Sequence, residues 1–198
     1  MKIGVLGNGN VGGSLANLAK TGGHDVRVGS RSGDVSLADA AMHGDIVILA
    51  VHYQVASDVL TPLADVLAGK ILVDATNPLN DDWSPLLLGQ ETSAAEEIAK
   101  LMPGVRVVKA FNTIFADVMG AAHQDREGHK INSFVAGDDP DAVATVAELA
   151  GSMGFAPVSV TKLSAARYLE AMAHLNIELA VGQGGGTDAA FLYHRGAS

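Results

Sequence analysis

Short runs of Val, Ile and Leu alternate with amphipathic stretches along the chain, beginning with KIGVLG at residue 2. The runs are continuously apolar, which is typical of strands covered on both faces in a parallel sheet. They predict strands at KIGVLG, DVRVGS, DIVILAV, KILVDAT, VRVVKAF, NSFVAG and APVSV. The stretches between them predict helices over about 11–21, 37–42, 53–67, 93–101 and 140–153. This alternation predicts an α/β fold with a doubly wound, mainly parallel sheet and right-handed crossovers.

The last segment follows a different pattern. Ser164 is a suitable N-cap for a helix that runs to about Val181. A hydrophobic stripe recurs at helical spacing within it: Tyr168, Met172, Leu175 and Leu179. Because Leu169 and Ile177 lie off that stripe, the helix is apolar on nearly every side. We therefore expect a buried helix, in the core or in a homodimer interface, with a pocket wall as the alternative.

Two irregular segments, 77–92 and 111–130, follow the carboxyl ends of predicted strands. In open α/β sheets ligands bind at that edge. We expect both segments to form the walls of a pocket.

Composition narrows the choice of partners. The 198 residues suit one domain, and a formal net charge of -9 disfavours nucleic acid and anionic membranes. With no cysteine, the chain has no disulfide, no thiolate catalysis and no cysteine metal site, and its scattered histidines predict no metal. It begins directly on a strand, without a signal peptide or a membrane-length apolar run, so we expect a cytoplasmic protein.

The most specific pattern is GNGNVGG, which places Gly7, Gly9 and Gly12 in the G-x-G-x-x-G spacing. It follows a strand and opens a helix, the context that this dinucleotide fingerprint requires. Gly7 permits the tight turn, Gly9 lets the backbone approach a pyrophosphate, and Gly12 allows close packing of helix on strand. The helix N-terminus offers unpaired N–H groups to the phosphates. The pattern predicts a Rossmann-type nucleotide-binding domain over 1–160, with 161–198 as a C-terminal helical extension packed on it or in a dimer interface.

The second strand ends on Ser30 and Arg31, where an acidic residue would bind the ribose hydroxyls of NAD. A hydroxyl and a guanidinium fork suit phosphate oxygens instead, and Ser32 and the backbone of Gly33 add donors. A solvated loop arginine is the alternative. We expect NADP(H) to be preferred over NAD(H).

Three later strand ends supply candidate residues for the nicotinamide half. His52 can orient the carboxamide or act as an acid, or can be a loop histidine without a role. For Lys109 two interpretations stay open: it forms a salt bridge, or its side chain belongs to the pocket. No catalytic residue is assigned beyond the candidate His52, and the candidate cofactor-binding positions at these strand ends are Ala50, Val51, His52, Asn77, Pro78, Ala110, Phe111, Asn112 and Thr113.

Four segments together resemble the coenzyme F420-dependent NADP oxidoreductases: MKIGVLGNGNVGGSLANLAKTGGHDVRVGSR, DATNP, SAAEEIAKLMPGVRVVKAFNT and LSAARYLEAMAHLNI. The VKAFNT stretch is also similar to the NADPH-binding domain of six-transmembrane ferric reductases. The resemblance implies that Ala110 lies near the nicotinamide. It also implies NADP contacts at Asn8, Gly9, Asn10, Val11, Ser30 and Arg31.

The resemblance further implies direct hydride transfer between NADP(H) and a flavin-like acceptor, coenzyme F420 or a flavin. Such chemistry needs juxtaposition more than an acid or a base. Archaeal-type members have Pro-Trp where this chain has His52-Tyr53, which leaves the identity of the acceptor open. Two alternatives stand beside this reductase: an NADP(H)-binding sensor or regulatory module, and an NADPH-dependent reductase of a small imine or carbonyl compound.

Overall fold

The computed structural model describes residues 1–88 and 91–196, and a seven-stranded sheet forms its centre. Its strands are β1 Lys2–Leu6, β2 Asp25–Gly29, β3 Ile46–Leu49, β4 Ile71–Asp74, β5 Arg106–Lys109, β8 Asn132–Gly137 and β9 Ala156–Val160. Their order in the sheet is β2-β1-β3-β4-β5-β8-β9. Strands β1 to β5 are mutually parallel, β8 is antiparallel to β5, and β9 is parallel to β8. This confirms the predicted doubly wound, mainly parallel α/β fold.

The reversal at β8 has a visible cause in the chain path. No helical crossover joins β5 to β8 in this described stretch, so the chain enters β8 from the opposite direction. The connection instead contains two 3₁₀ turns, Ala116–Val118 and Ala121–His123, and a small hairpin. That hairpin, β6 Asp125–Arg126 and β7 His129–Lys130, was not predicted from the sequence.

Helices cover both faces of the sheet. The α-helices are α1 Asn10–Thr21, α2 Leu37–His43, α3 Ala56–Leu60, α4 Ala64–Leu67, α5 Ala94–Leu101, α6 Pro140–Ser152 and α7 Ala166–Ile177. Ser36, Ser93 and Asp139 cap α2, α5 and α6 by accepting a hydrogen bond from a backbone N–H of the first turn.

The prediction of one helix over 53–67 is wrong. The segment is divided into a 3₁₀ turn Tyr53–Val55, α3, a second 3₁₀ turn Thr61–Leu63, and α4. Pro62 lies within the second turn and has no N–H to donate to a preceding carbonyl. Both short helices still pack against the sheet, since Leu60 and Leu67 are fully buried.

Alternate residues of the central strands face two separate apolar clusters. Ile46 and Ile48 of β3 pack in the cluster that α1 and α6 cover. Val47 and Leu49 pack in the cluster of α2, α3 and α5. The central strands are therefore buried on both faces, as the sequence predicted. For the edge strands β2 and β9 the prediction is wrong, because exposed and half-buried residues alternate along them.

The C-terminal helix α7 corrects two expectations. Its N-cap is Ala165, without a side-chain cap, so Ser164 does not begin the helix. The stripe expected to be buried faces outward, with Tyr168 74% and Leu175 51% exposed. The opposite face is buried and polar in part, with Glu170 and Asn176 beside Leu169 and Ala173. A π-helical turn, Glu178–Gly182, follows. The homodimer interface stays a prediction.

Across residues 1–88 and 91–196, no helix has both the length and the hydropathy needed to cross a bilayer.

Candidate functional site

A cleft of about 940 Å³ lies along the carboxyl ends of the parallel strands. Every one of the first five strands contributes its end to it, and α7 closes the far side. The largest lining groups are Gly7–Val11, Ser30–Ser32, Ala50–His52, Ala75–Asn77, Asn112–Ala116, and Ala173, Asn176 and Ile177 of α7. The expectation that segments 77–92 and 111–130 supply walls is met by Leu79 and Trp83 and by the start of the second segment.

The glycine loop has the geometry that its spacing predicts. Gly7 has φ +114, and a Cβ there would lie 2.3 Å from the Ala50 carbonyl oxygen. A Cβ on Gly12 would lie 2.2 Å from the Gly7 carbonyl oxygen. The start of α1 can therefore pack closely against the glycine loop only with glycine at position 12. A Cβ on Gly9 would meet no heavy atom of the described residues within 4 Å, apart from its chain neighbours and its own helix. Gly9 therefore faces open space at the cleft, where a ligand can approach the backbone.

The N-terminus of α1 is suited to an anion. Gly9 is its N-cap and supplies no side chain to satisfy the N–H groups of the first turn. That turn carries no acidic residue, and the twelve-residue helix directs its positive dipole end at the cleft. A pyrophosphate fits this loop.

The end of β2 adds a second polar group to the same cleft. Ser30, Arg31 and Ser32 all line it. Arg31 is exposed and forms no ion pair or hydrogen bond within the described part of the chain. A Cβ on Gly33 would lie 2.6 Å from the Ser30 Oγ, so glycine lets the loop fold against this serine. The residues present fit an additional phosphate beside the glycine loop.

His52 lies at the rim of the cleft, directly after β3. It is exposed, and its backbone precedes the 3₁₀ turn Tyr53–Val55. Its ring has no hydrogen-bond partner among the residues described, so it is not oriented by a carboxylate as a general base usually is. His52 stays a candidate on position alone.

Two asparagines connect the ends of β4 and β5. The Asn77 Nδ2 donates to the Asn112 carbonyl oxygen at 2.8 Å, and the Asn112 Nδ2 donates to the Asn77 Oδ1 at 2.9 Å. The Asn112 Nδ2 also donates to the Leu169 carbonyl oxygen of α7 at 3.0 Å. This pair fixes the inner wall of the cleft.

Behind that wall lies a buried ionic triad that sequence reasoning left unresolved. The Lys109 Nζ lies 2.8 Å from the Asp74 Oδ2 and 2.9 Å from the Glu170 Oε1, and it donates to the Thr76 carbonyl oxygen at 2.7 Å. Asp74 and Lys109 are 0% exposed, and Glu170 is 4% exposed. Burial alone would lower the pKa of the Lys109 ammonium, but the Asp74 and Glu170 carboxylates outweigh it and raise the pKa above its ordinary value. Lys109 is therefore a salt-bridge residue.

The excess carboxylate charge of the triad is met by backbone donors. Asp74 Oδ1 accepts from the Thr76 N–H at 2.9 Å, and Glu170 accepts from the N–H groups of Ala94 and Ala95 at 2.9 and 3.3 Å. Ala94 and Ala95 are the first two residues of α5, and the helix dipole stabilises a carboxylate at that end. Through Glu170, α7 is joined to the sheet and to α5.

A second ion pair holds the same helices together. Arg167 on α7 binds the Glu96 carboxylate with two hydrogen bonds of 2.8 and 2.7 Å. Hydrogen bonding from Arg167 lowers the pKa of Glu96. The Glu96 carboxylate is therefore half-buried against α7.

Most of the candidate cofactor-binding residues come together in the cleft, with four exceptions. Gly12 packs beneath the glycine loop, Pro78 is buried and its carbonyl oxygen lies 3.1 Å from the His174 Nε2, and Ala110 is fully buried. Phe111 is buried too, with φ +65. Ala110 is not among the residues that line the cleft, so the structure gives no support to its predicted position beside the nicotinamide. Within the described ranges, no three metal-ligating side chains cluster.

A doubly wound sheet with an open glycine loop, an uncapped helix N-terminus and an adjacent Ser-Arg pair defines a Rossmann-type dinucleotide-binding protein. Residues 2–78 match the family described as NADP oxidoreductase, coenzyme F420-dependent. The F420-dependent NADP reductase of Methanothermobacter thermautotrophicus is 31% identical to the chain, over 90% of this chain and 89% of its own length. The chain belongs to this family of NADP-dependent oxidoreductases.

Two further comparisons bear on the fold and on the extent of the match. A crystal structure presented as a candidate F420-dependent NADP reductase from Arthrobacter superimposes with a TM-score of 0.88 at 31% identity, over 98% of this chain and 100% of that one. Metalloreductase STEAP3 of Rattus norvegicus is 36% identical over 86% of this chain. The match takes up 36% of that metalloreductase, so the chain spans about a third of its length.

Proposed function

We propose that the protein transfers a hydride between NADP(H) and a flavin-like acceptor, coenzyme F420 or a flavin. One observation carries this proposal: a continuous cleft joins the Ser30–Arg31 end of β2 to the glycine loop and to the pocket beneath α7. The family to which the chain belongs supports the same reaction.

The residues that line the cleft fit NADP(H) in one orientation of the bound dinucleotide. Ser30, Arg31 and Ser32 would bind the 2′-phosphate, and the backbone at Gly9 with the start of α1 would bind the pyrophosphate. Because β3 and β4 follow β1 in the sheet, the nicotinamide would then reach the strand ends at His52 and Asn77.

A bound NADP(H) would supply the chemistry, a hydride that carries two electrons to the acceptor ring, with one proton from water to balance the reduction. The chain's own residues align and shield the two rings. Asn77 and Asn112 are locked to each other, so the inner wall presents a fixed surface to the rings. Ile114, Phe115 and Ile177 add apolar surface that excludes water. No proton transfer from a side chain is needed at the reacting carbon.

Cofactor discrimination tests the first half of this proposal. NADPH should bind at least about tenfold more tightly than NADH, because one charge-assisted phosphate contact contributes about 1.5–3 kcal/mol. An Arg31→Ala variant should lose that discrimination, whereas Arg27→Ala should keep it, since Arg27 lies on β2 outside the cleft. Isothermal titration calorimetry measures both. Equal affinities in the wild type, or full discrimination without Arg31, would contradict the assignment.

Turnover tests the second half. Stopped-flow mixing should show NADPH oxidation by coenzyme F420, FMN or riboflavin. A ferric chelate should be included, because a metalloreductase is among the relatives. Tight NADPH binding with no oxidation by any of these acceptors would reject the reductase and favour the NADP(H)-sensing alternative.

A further inference from the structure

A second pocket, of about 300 Å³, lies outside the cleft and shares no lining residue with it. Its walls come from two segments that are far apart in the sequence: the β6–β7 hairpin and the C-terminal tail, which we define as residues 187–195. The hairpin contributes His129 and Lys130, and the tail contributes Leu192, Tyr193 and His194. The first residues of β8 and β9 complete the lining.

Contacts outside this pocket hold the tail in place. Arg126 of the hairpin forms an ion pair with Asp188, and Ala190 packs against the core cluster that α1 and α6 cover. Asn132, the buried first residue of β8, accepts a hydrogen bond from the Tyr193 N–H. The pocket is therefore a product of the fold of the single chain.

The side chains that line the pocket are positive or neutral. Lys130, His129 and His194 are exposed, and the side chain of each is without an ion pair or a hydrogen bond within residues 1–88 and 91–196. Arg195 adds positive charge beside them, since its guanidinium lies 5.3 Å from the centre of the Tyr193 ring. In a chain with 13 Lys and Arg against 22 Asp and Glu, this concentration of unpaired donors runs against the overall charge.

The nearby carboxylates do not neutralise the pocket. Asp188 is held by Arg126. Asp125 lies opposite Lys130 in the hairpin, but it accepts from a backbone N–H of the turn and forms no ion pair with that lysine. Glu127 is not among the lining residues. An anion that enters the pocket therefore meets donors without a competing carboxylate in the lining.

The two imidazoles meet at the pocket from different segments. The ring centres of His129 and His194 lie 5.3 Å apart, with an angle of 76° between the ring planes. Each ring has an N–H to donate and no acceptor for it among the described residues. The ammonium of Lys130 disfavours a metal ion here, and no three metal-ligating side chains cluster in the described ranges. An anion with several oxygen atoms fits this donor set better, and phosphate has more oxygens to accept from three donors than a carboxylate has.

We propose that this pocket binds a phosphate group, either free or on a small phosphorylated molecule. Lys130 supplies the charge, and His129 and His194 supply the N–H donors. Leu192 and Tyr193 offer apolar and aromatic surface to the rest of the molecule. The bound phosphate bridges the hairpin to the tail. This site is separate from the cleft and does not depend on the function proposed for it.

Residue-resolved NMR tests the site directly, because it separates this pocket from the glycine loop. Inorganic phosphate is titrated into the ¹⁵N-labelled chain in the presence of saturating NADP⁺, beside a sodium chloride series of matched ionic strength. The amide signals of 128–130 and 192–194 should shift and saturate together with phosphate and stay nearly unchanged with chloride. Equal shifts in both series, or shifts confined to 7–11 and 30–32, would overturn the proposal. A response of the two histidine rings to Zn²⁺ but not to phosphate would overturn it as well.

Two pairs of variants assign the donors. Lys130→Gln should weaken phosphate binding at least about fivefold, whereas Lys162→Gln, an exposed lysine outside both pockets, should leave it unchanged. His194→Gln should weaken it at least about twofold, whereas His123→Gln, outside the pocket lining, should not. Since all four side chains are exposed, circular dichroism should show the same unfolding free energy in each variant. Equal affinity in Lys130→Gln and Lys162→Gln would contradict the proposal.

A comparison of ligands identifies the source of the phosphate. Phenyl phosphate should bind at least about threefold more tightly than inorganic phosphate if the pocket takes a phosphorylated molecule, and Tyr193→Ala should remove that gain. Equal binding of the two would assign the site to free phosphate. Acetate that binds as tightly as either would overturn the assignment to phosphate.

Discussion

The two halves of the cleft are built in different ways. The half that we propose for the nucleotide comes from residues 7–52, and its shape depends on backbone: glycines, a helix N-terminus and strand ends close together in the chain. The distal half is the part of the cleft lined by residues that follow β4 and β5 and by residues of α7. It joins elements that lie as far apart in the sequence as Asp74 and Asn176. Side chains hold it together: the triad, the asparagine pair and the Arg167–Glu96 ion pair.

This difference separates what local sequence can encode from what packing must supply. A glycine loop needs only short-range geometry, so it is recognisable as a spacing. The distal half depends on contacts of long sequence separation, including the one between Glu170 and the start of α5. The nucleotide half should tolerate changes elsewhere, whereas the distal half should fail as a unit.

The largest expected effect comes from the triad. Lys109→Met would leave Asp74 and Glu170 buried without their cation, and breaking such a network costs about 3–5 kcal/mol of unfolding free energy. Urea denaturation followed by circular dichroism measures this. Binding to the distal half should be lost together with the stability.

The surface pair Lys100–Glu97 provides the matched control. The Lys100 side chain is largely exposed and the Glu97 side chain partly so, and Lys100→Met should therefore cost less than about 0.5 kcal/mol. Because the pKa of Lys109 is raised, its contribution is fully present below its ordinary pKa of 10.5 and is lost as the pH rises through the folded value. The wild type should therefore keep its advantage over Lys109→Met from pH 7 to 9. Similar losses of unfolding free energy in Lys109→Met and Lys100→Met would show that the buried triad contributes no more to stability than a surface ion pair.

The second test sharpens the description of the nucleotide half. Gly9→Ala should leave the unfolding free energy within about 0.5 kcal/mol, because its φ of -78 suits any residue and its Cβ meets open space. It should still weaken NADPH binding by about tenfold, because the methyl group occupies the path of the pyrophosphate. Calorimetry and denaturation together separate the two effects.

Gly12→Ala should behave in the opposite sense. Its Cβ would press against the Gly7 carbonyl oxygen, so it should destabilise the fold by about 1–3 kcal/mol. If Gly9→Ala proves as destabilising as Gly12→Ala, the open face at Gly9 does not exist.

The smallest effect is expected at His52. The His52 imidazole lies at the rim and has no orienting partner among residues 1–88 and 91–196, so it should contribute to positioning only. His52→Gln should therefore slow single-turnover hydride transfer by less than about threefold. A loss of a hundredfold or more would identify His52 as a general acid. Stopped-flow oxidation of bound NADPH measures the rate directly.

The sequence was sufficient for the sheet and for the nucleotide half because both depend on periodicity and spacing. The apolar strands, the glycine positions and the Ser30–Arg31 ending were all legible without long-range information. Pro62 marks the break between α3 and α4, and a proline is a signal that a sequence shows directly. The prediction of one continuous helix over 53–67 did not take it into account.

The C-terminal helix shows where such reasoning stops. Its apolar stripe is the outward face of the single chain, because a buried carboxylate on the other face gains partners from two elements, β5 and α5. The signal was present as two charges in apolar surroundings, Lys109 within a strand and Glu170 within a helix. Charged residues are rarely buried unless paired, and only the fold shows with what they pair.

The triad also affects how this chain can diverge. Since Glu170 is one of the two carboxylates that contact the buried Lys109 ammonium, exchanging the C-terminal extension for another sequence should destabilise the sheet while positions 74 and 109 stay as they are. A graft that brings in a helix without this carboxylate would leave a buried lysine with one partner fewer. Relatives that replace the extension should therefore have changed the two sheet positions as well, so that the three residues are inherited together.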